Sequence, residues 1–218
     1  MLRLVLASVT IFVIACASHL APQPLPPLVA TAPPGAAGGG TLVILGEHLV
    51  WEVAADGVTI GRAEMIVRPA EIESRFRTDG IASMFADVHE HLITPIADAP
   101  GVYTIHSALA WLRAWHPTGS GAARLAISYD GDRYAVTCEP PIPDELHDAR
   151  VVRIACSVAT SEPVMLTFQL ADDGDRVPMR VVAKIGTSNL EANLVLRDLR
   201  GSAATPVARA HGDERATR

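Results

Sequence analysis

The sequence predicts a mainly-β domain: an antiparallel curved sheet or incomplete β-barrel, with one short helix packed on the concave face. Three observations predict it. Apolar residues alternate with a period of two over many short runs. Turn chemistry, Asp-Gly above all, separates several of those runs. A single segment, residues 105–115, is instead apolar at nearly every position.

The elements follow in order. In residues 45–53, Leu45, Leu49, Trp51 and Val53 share a face with Glu47, and His48 and Glu52 lie opposite. Asp56-Gly57 is a hairpin signal leading into a second run, 58–67. Runs 70–78 and 86–94 come next. Residues 105–115 (IHSALAWLRAW) are interrupted only by His106, Ser107 and Arg113. Their length and alanine content predict a helix. Pro117 and Gly119 end it, and Leu109, Trp111, Leu112 and Trp115 are its expected core anchors. Runs 122–129, 132–139, 150–158, 163–171, 176–185 and 188–197 complete the meander. Turns are expected at Asp130-Gly131, Asp172-Asp173-Gly174-Asp175 and Gly186-Thr187-Ser188. The last run sets Leu190, Ala192, Leu194 and Leu196 on the core side, and Glu191, Asn193 and Arg197 on the wet side.

Outside this domain the chain has a different character. Its 218 residues allow one domain with flanking segments. Residues 1–15 read as a signal peptide: Arg3 and the amino terminus, then an apolar run from Leu4 to Ile14 too short to span a bilayer. The ending Val13-Ile14-Ala15-Cys16 resembles the bacterial lipobox. That resemblance implies cleavage before Cys16 and lipidation of its sulfur, and several acyl chains together anchor stably. Ala17, where Asp would imply inner-membrane retention, implies the outer membrane, facing the periplasm. The alternative is an ordinary signal peptide cut elsewhere, with Cys16 incidental. Residues 16–41 are the lipidated cysteine and a tether; residues 21–40 hold six prolines, four glycines and no charge. The folded domain is expected over 42–199, and 200–218 is a flexible tail.

Lys and Arg total 18 against 24 Asp and Glu, a net charge of −6, which argues against a nucleic-acid partner. Three cysteines are too few for a disulfide miniprotein or a zinc ribbon. Cys138 shares a face with Tyr134 and Val136, and Cys156 with Val152, Ile154 and Val158. The two strands are joined by a Pro-rich loop from Glu139 to Asp148. An even pair in an oxidising compartment predicts a disulfide. The alternative is two buried free thiols.

Three segments together resemble the bacterial exported family known as domain of unknown function 3108. GEHLVWEVAADGVTIGRAEMIV (46–67) has its Gly-Glu start, aromatic-Glu-Val strand and Gly-x-x-x-Gly. SALAWLRAW (107–115) has its helix with a Leu-Arg pair. FQLADDGDRVPMRVVAKIGTSNLEANLV (168–195) has its acidic turn followed by Arg-x-Pro. The resemblance implies a curved antiparallel sheet or incomplete barrel, similar in shape to lipid-binding half-barrels, and implies no catalytic residues. The family pattern has a longer stretch before the helix, where this chain has only Pro95 to Thr104.

Chemistry-bearing candidates are few. His89 and His91 flank Glu90 and, in a strand, point to one face about 6–7 Å apart at the backbone, a spacing that can chelate a metal. His48, His106 or Asp87 would have to supply a third ligand. Asp172, Asp173 and Asp175 surround Gly174 without the spacing of a calcium loop, so a solvated turn is the simpler reading. Ser120 lacks the nucleophile-elbow pattern, and Glu47, Glu52 and Glu64 are dispersed. Trp51, Trp111 and Trp115 are either ligand-groove or core residues. No cofactor motif is present in the sequence.

These features predict a non-enzymatic outer-membrane lipoprotein whose curved sheet binds a lipid or other apolar or amphiphilic ligand. The competing expectation is an envelope scaffold or assembly partner with a filled core, binding envelope proteins and no small molecule. A metal-dependent hydrolase built on His89 and His91 is the third.

Overall fold

The computed structural model describes residues 41–96, 102–116 and 121–199. The signal peptide, Cys16, the tether up to residue 40, Ser120 and the tail from residue 200 lie outside the described residues. The described elements are β1 (Glu47–Ala55), β2 (Val58–Val67), β3 (Glu71–Thr78), α1 (Gly80–Phe85), β4 (His89–Pro95) and α2 (Ile105–Ala114), then β5 (Ala123–Tyr129) and β6 (Asp132–Cys138). They end with β7 (Ile142–Leu146), β8 (Ala149–Val158), β9 (Val164–Ala171), β10 (Pro178–Ile185) and β11 (Ser188–Leu199). All strands join one open antiparallel sheet, ordered β4-β3-β2-β1-β11-β10-β9-β8-β6-β5, with β7 also beside β8.

The Asp-Gly turns form as expected. Asp56 and Gly57 have φ of 47° and 83°, and Asp130 and Gly131 have 49° and 82°. Two positive φ angles in a two-residue loop match the strand twist, and Asp and Gly tolerate them. Two elements were not anticipated. Helix α1 interrupts the β3–β4 connection. Asp79 caps it by accepting from the Gly80 N–H at 2.8 Å. The Thr78 hydroxyl closes the excursion, donating to the Ala86 carbonyl and accepting from the Val88 N–H. Strand β7 occupies the segment expected to be a Pro-rich loop, which corrects that expectation. Both β6 and β7 pair with β8, β6 along residues 156–158 and β7 along 149–153. Pro140 and Pro141 have no N–H to donate, so the ladder breaks between them.

The Cys138–Cys156 disulfide is present and joins directly opposed residues of β6 and β8. It closes a separation of 18 residues, worth about 3 kcal/mol in the chain-entropy account.

A bulge changes one facing expectation. Val50 is opposite Leu196 but Trp51 is opposite Leu194, which leaves Val195 as an extra residue in β11. One extra residue exchanges the faces beyond it. Leu196 is consequently exposed, and Arg197, expected on the wet side, turns inward.

The two sheet edges converge on α2. Thr94 of edge strand β4 is hydrogen-bonded to His106 of the helix at 2.8 Å. Tyr103, just before the helix, bridges edge strand β5: its N–H donates to Ala126 and its carbonyl accepts from Ser128. One ten-residue helix touching both edges requires a curled sheet. Burial raises the Tyr129 phenol to about 12, and the Glu90 charge, from the opposite edge strand, adds to the shift. Thr104 and Ser107 form a capping box at the helix start. Every residue from Ile105 to Arg113 is buried.

Gly61 permits the β2–β3 approach. A Cβ there would lie 2.1 Å from the Arg77 carbonyl oxygen, whereas one at Gly174 would meet nothing within 4 Å. Gly61→Ala is therefore expected to cost about 2–3 kcal/mol, as overpacking against rigid backbone does. Gly174→Ala should be close to neutral. Urea denaturation midpoints of the two variants test this contrast.

Candidate functional site

The inner face is organised by charged residues that the apolar pattern carries into the core. Glu47 lies on the apolar face of β1 and is 0% exposed; Arg113 lies on the apolar helix and is 2% exposed. They meet in a bidentate pair, with Nη1 donating to Oε2 at 2.6 Å and Nη2 to Oε1 at 3.1 Å. Arg113 also donates Nε and Nη2 to the Asp175 carbonyl. Arg197 donates to Glu47 and, at 2.6 Å, to the Asp175 carboxylate. Arg176 donates to the Trp115 carbonyl at 2.9 Å and so holds the helix end. Every one of these charges thus has hydrogen-bonded partners, which burial demands.

Beside this clasp, His106 is hydrogen-bonded through Nδ1 to Thr94 and through Nε2 to Ser74, the latter at 3.0 Å. The serine–histidine contact resembles part of a catalytic constellation. Its surroundings oppose that use. Both side chains are buried, no carboxylate among the described residues is hydrogen-bonded to the imidazole, and burial lowers the His106 pKa to about 4. A base so weak, out of reach of solvent, is suited to tying β3, β4 and α2 together.

The three tryptophans are all buried. Trp51 donates its indole N–H to the Pro178 carbonyl at 2.9 Å. Trp111 and Trp115 stack with ring centroids 5.0 Å apart. The pocket between Leu42, Met65, Leu109 and Arg113 holds only about 10 Å³, at the lower limit for one water.

The outer face of β1–β4 carries an open groove of about 630 Å³. His89 and His91 line it, on one face as expected. Their imidazoles are engaged separately, His89 by Asp87 and His91 by Glu73, each at 2.8 Å. Of the proposed third ligands, Asp87 meets His89 alone, and the two histidines do not join them. His106 is in the core, and His48 pairs with Glu64. The residues directly opposite His89 and His91 on β3 are Arg77 and Arg75, cations that oppose a metal. Among the described residues no three His, Cys, Asp or Glu side chains converge on a metal position. In the acidic turn, Asp173 accepts from the N–H groups of Asp175 and Arg176, and Asp175 pairs with Arg197.

The groove arginines were not singled out from the sequence. Glu73 is buried among Arg68, Arg75 and His91; hydrogen bonding from Arg68 first, then Arg75 and His91, holds its pKa down to about 2 against the effect of burial. The signal was available: alternation in EIESRFRT places Glu71, Glu73, Arg75 and Arg77 together on one face.

In comparisons with known proteins, the chain matches no family model, no curated protein and no solved structure.

Two expectations follow. Glu47→Gln, which strands the buried Arg113, or Arg113→Met, which leaves Glu47 only the part-exposed Arg197, should cost about 3–5 kcal/mol, whereas a Glu47→Leu/Arg113→Met double variant should cost less than either. Denaturant melts of the three variants decide it. For His106, both folded and unfolded chains are neutral above the ordinary 6.5. As pH falls from 6.5 towards about 4, only the unfolded chain takes up the proton, so stability is lost across that window. The stability advantage of the wild type over His106→Gln should shrink by about 3 kcal/mol between pH 7 and pH 4. A constant difference would contradict a neutral buried imidazole.

Proposed function

We propose that this chain is a non-enzymatic envelope lipoprotein, tethered through Cys16 to the outer membrane and facing the periplasm, that acts as a scaffold or assembly partner. The observation that carries the choice is the helix buried against the inner face of the sheet. A half-barrel that takes an apolar ligand needs a concave space of several hundred Å³, on the order of 300 Å³ at least. Here α2, buried from Ile105 to Arg113, occupies that position, and its stacked tryptophans belong to the core. The buried clasp holds the helix there, so emptying the interior would require breaking an ion pair in the core. This favours the scaffold over the lipid-binding reading. The anchor rests on the lipobox resemblance at residues 13–16. Among the described residues no helix is long and apolar enough to cross a membrane.

The surface offers contacts for partners. Met84 and Phe85 of α1 are 82% and 74% exposed. Large apolar side chains projecting from a short helix suit a protein contact.

Native mass spectrometry of the protein, expressed with its signal and extracted gently from membranes, tests the proposal. The expected spectrum has a triacyl adduct at Cys16, the mass deficit of the Cys138–Cys156 disulfide, and no further lipid. Crosslinking in intact cells should then give a defined envelope complex. A lipid retained stoichiometrically beyond the anchor would overturn the filled-core reading. Absence of an adduct would overturn the anchor.

A further inference from the structure

We propose that the outer groove contains a binding site for a phosphate-type oxyanion, held between Arg62 of β2 and Arg77 of β3. This goes beyond the scaffold reading and does not rest on it.

Arg62 and Arg77 are directly opposed in the β2–β3 ladder. Side chains so placed leave the sheet about 5 Å apart at Cβ, and like charges there repel. The next pair on the same face follows the usual rule, with Glu64 opposite Arg75. The arginine pair is therefore an exception in the β2–β3 ladder, although Glu52 of β1 lies opposite Arg62 on its other side. Arg62 has only a loose, exposed ion pair. The nearest carboxylate to Arg62 is Asp79, at 3.9 Å, with both side chains more than half exposed. Arg77 is exposed and makes no side-chain hydrogen bond or ion pair among the described residues. Arg68 and Arg75, by contrast, both bind Glu73.

The backbone beneath the pair is held close. Gly61, next to Arg62, allows the β2 chain to approach the Arg77 carbonyl more closely than any side chain would permit. The two guanidinium stems thus rise from adjoining, closely apposed backbone. Arg77 is in turn opposite His89, whose Nε2 is held by Asp87 at the far side of the groove. Planar guanidinium forks match a tetrahedral oxyanion with paired N–H donors, and two of them match its double charge. The groove, at about 630 Å³, has room for an organic substituent on that anion. Two sources share this chemistry: free phosphate or a phosphomonoester, and the phosphodiester of an anionic lipid head group.

The test uses the full-length protein in a neutral maltoside detergent at low salt. Inorganic phosphate and glycerophosphoglycerol, the water-soluble head group of phosphatidylglycerol, are titrated separately by calorimetry. Saturable binding of at least one is expected. Arg62→Gln/Arg77→Gln should weaken it about tenfold or more, and Arg133→Gln, an exposed change on β6, should leave it unaltered. Tighter binding of inorganic phosphate assigns a free or monoester ligand. Tighter binding of glycerophosphoglycerol assigns a head group. The double variant should melt at the same or a higher temperature, since it removes a repulsion. Failure of both probes to bind at about 10 mM, equal affinity in the double variant, or a lowered melting temperature would each overturn the site.

Discussion

The structure depends on one buried ion pair. Glu47 and Arg113 come from the first strand and the central helix, 66 residues apart in sequence. Removing two charges from water costs several kcal/mol for each ion, roughly, unless geometry and extra hydrogen bonds compensate. Here both carboxylate oxygens accept from Arg113, and the remaining guanidinium donors find the Asp175 carbonyl. Arg197 adds a second cation from the last strand. Such a set of bonds is satisfied in one placement of the helix. Apolar packing alone, being non-directional, would tolerate sliding or rotation of a helix that is hydrophobic almost all round.

From that placement the shape of the domain follows. With α2 fixed against β1 and the β9–β10 turn, its N-terminal end meets both sheet edges, β4 through Thr94 and β5 through Tyr103. The sheet remains open in its hydrogen bonding, yet its inner face is covered. The disulfide adds a covalent tie between β6 and β8, near the other end of the strand order. The charged side chains that remain open to solvent lie on the outer face, where β1–β4 present arginine, glutamate and histidine in cross-strand rows.

Within those rows, small differences of position separate structural from available charge. Glu73 draws Arg68, Arg75 and His91 onto itself and is buried by them. One ladder step away, Arg62 and Arg77 face each other with no carboxylate between them. The same residue type therefore serves the fold at one position and stays open to solvent at the next.

The sequence by itself determined the antiparallel β class, nearly all the strands, the central helix and the hairpin turns. These depend on local patterns: period-two alternation, Asp-Gly chemistry and a dense apolar run that ends near Pro117. It also marked Glu47 and Arg113 as charges within apolar patterns, though not as partners. Helix α1 and strand β7 escaped because each is short, and because Pro140, Pro141 and Pro143 read as loop while β8 still offered a free edge for pairing. Only the tertiary structure decided which charges are buried together, because pairing across 66 or 150 residues depends on strand order and not on spacing. It likewise decided that Arg197 faces inward, since a bulge is defined by register against a neighbouring strand. The outer groove belongs to the same category: its residues alternate legibly along each strand, but the opposition of Arg62 and Arg77 exists only once β2 and β3 are paired.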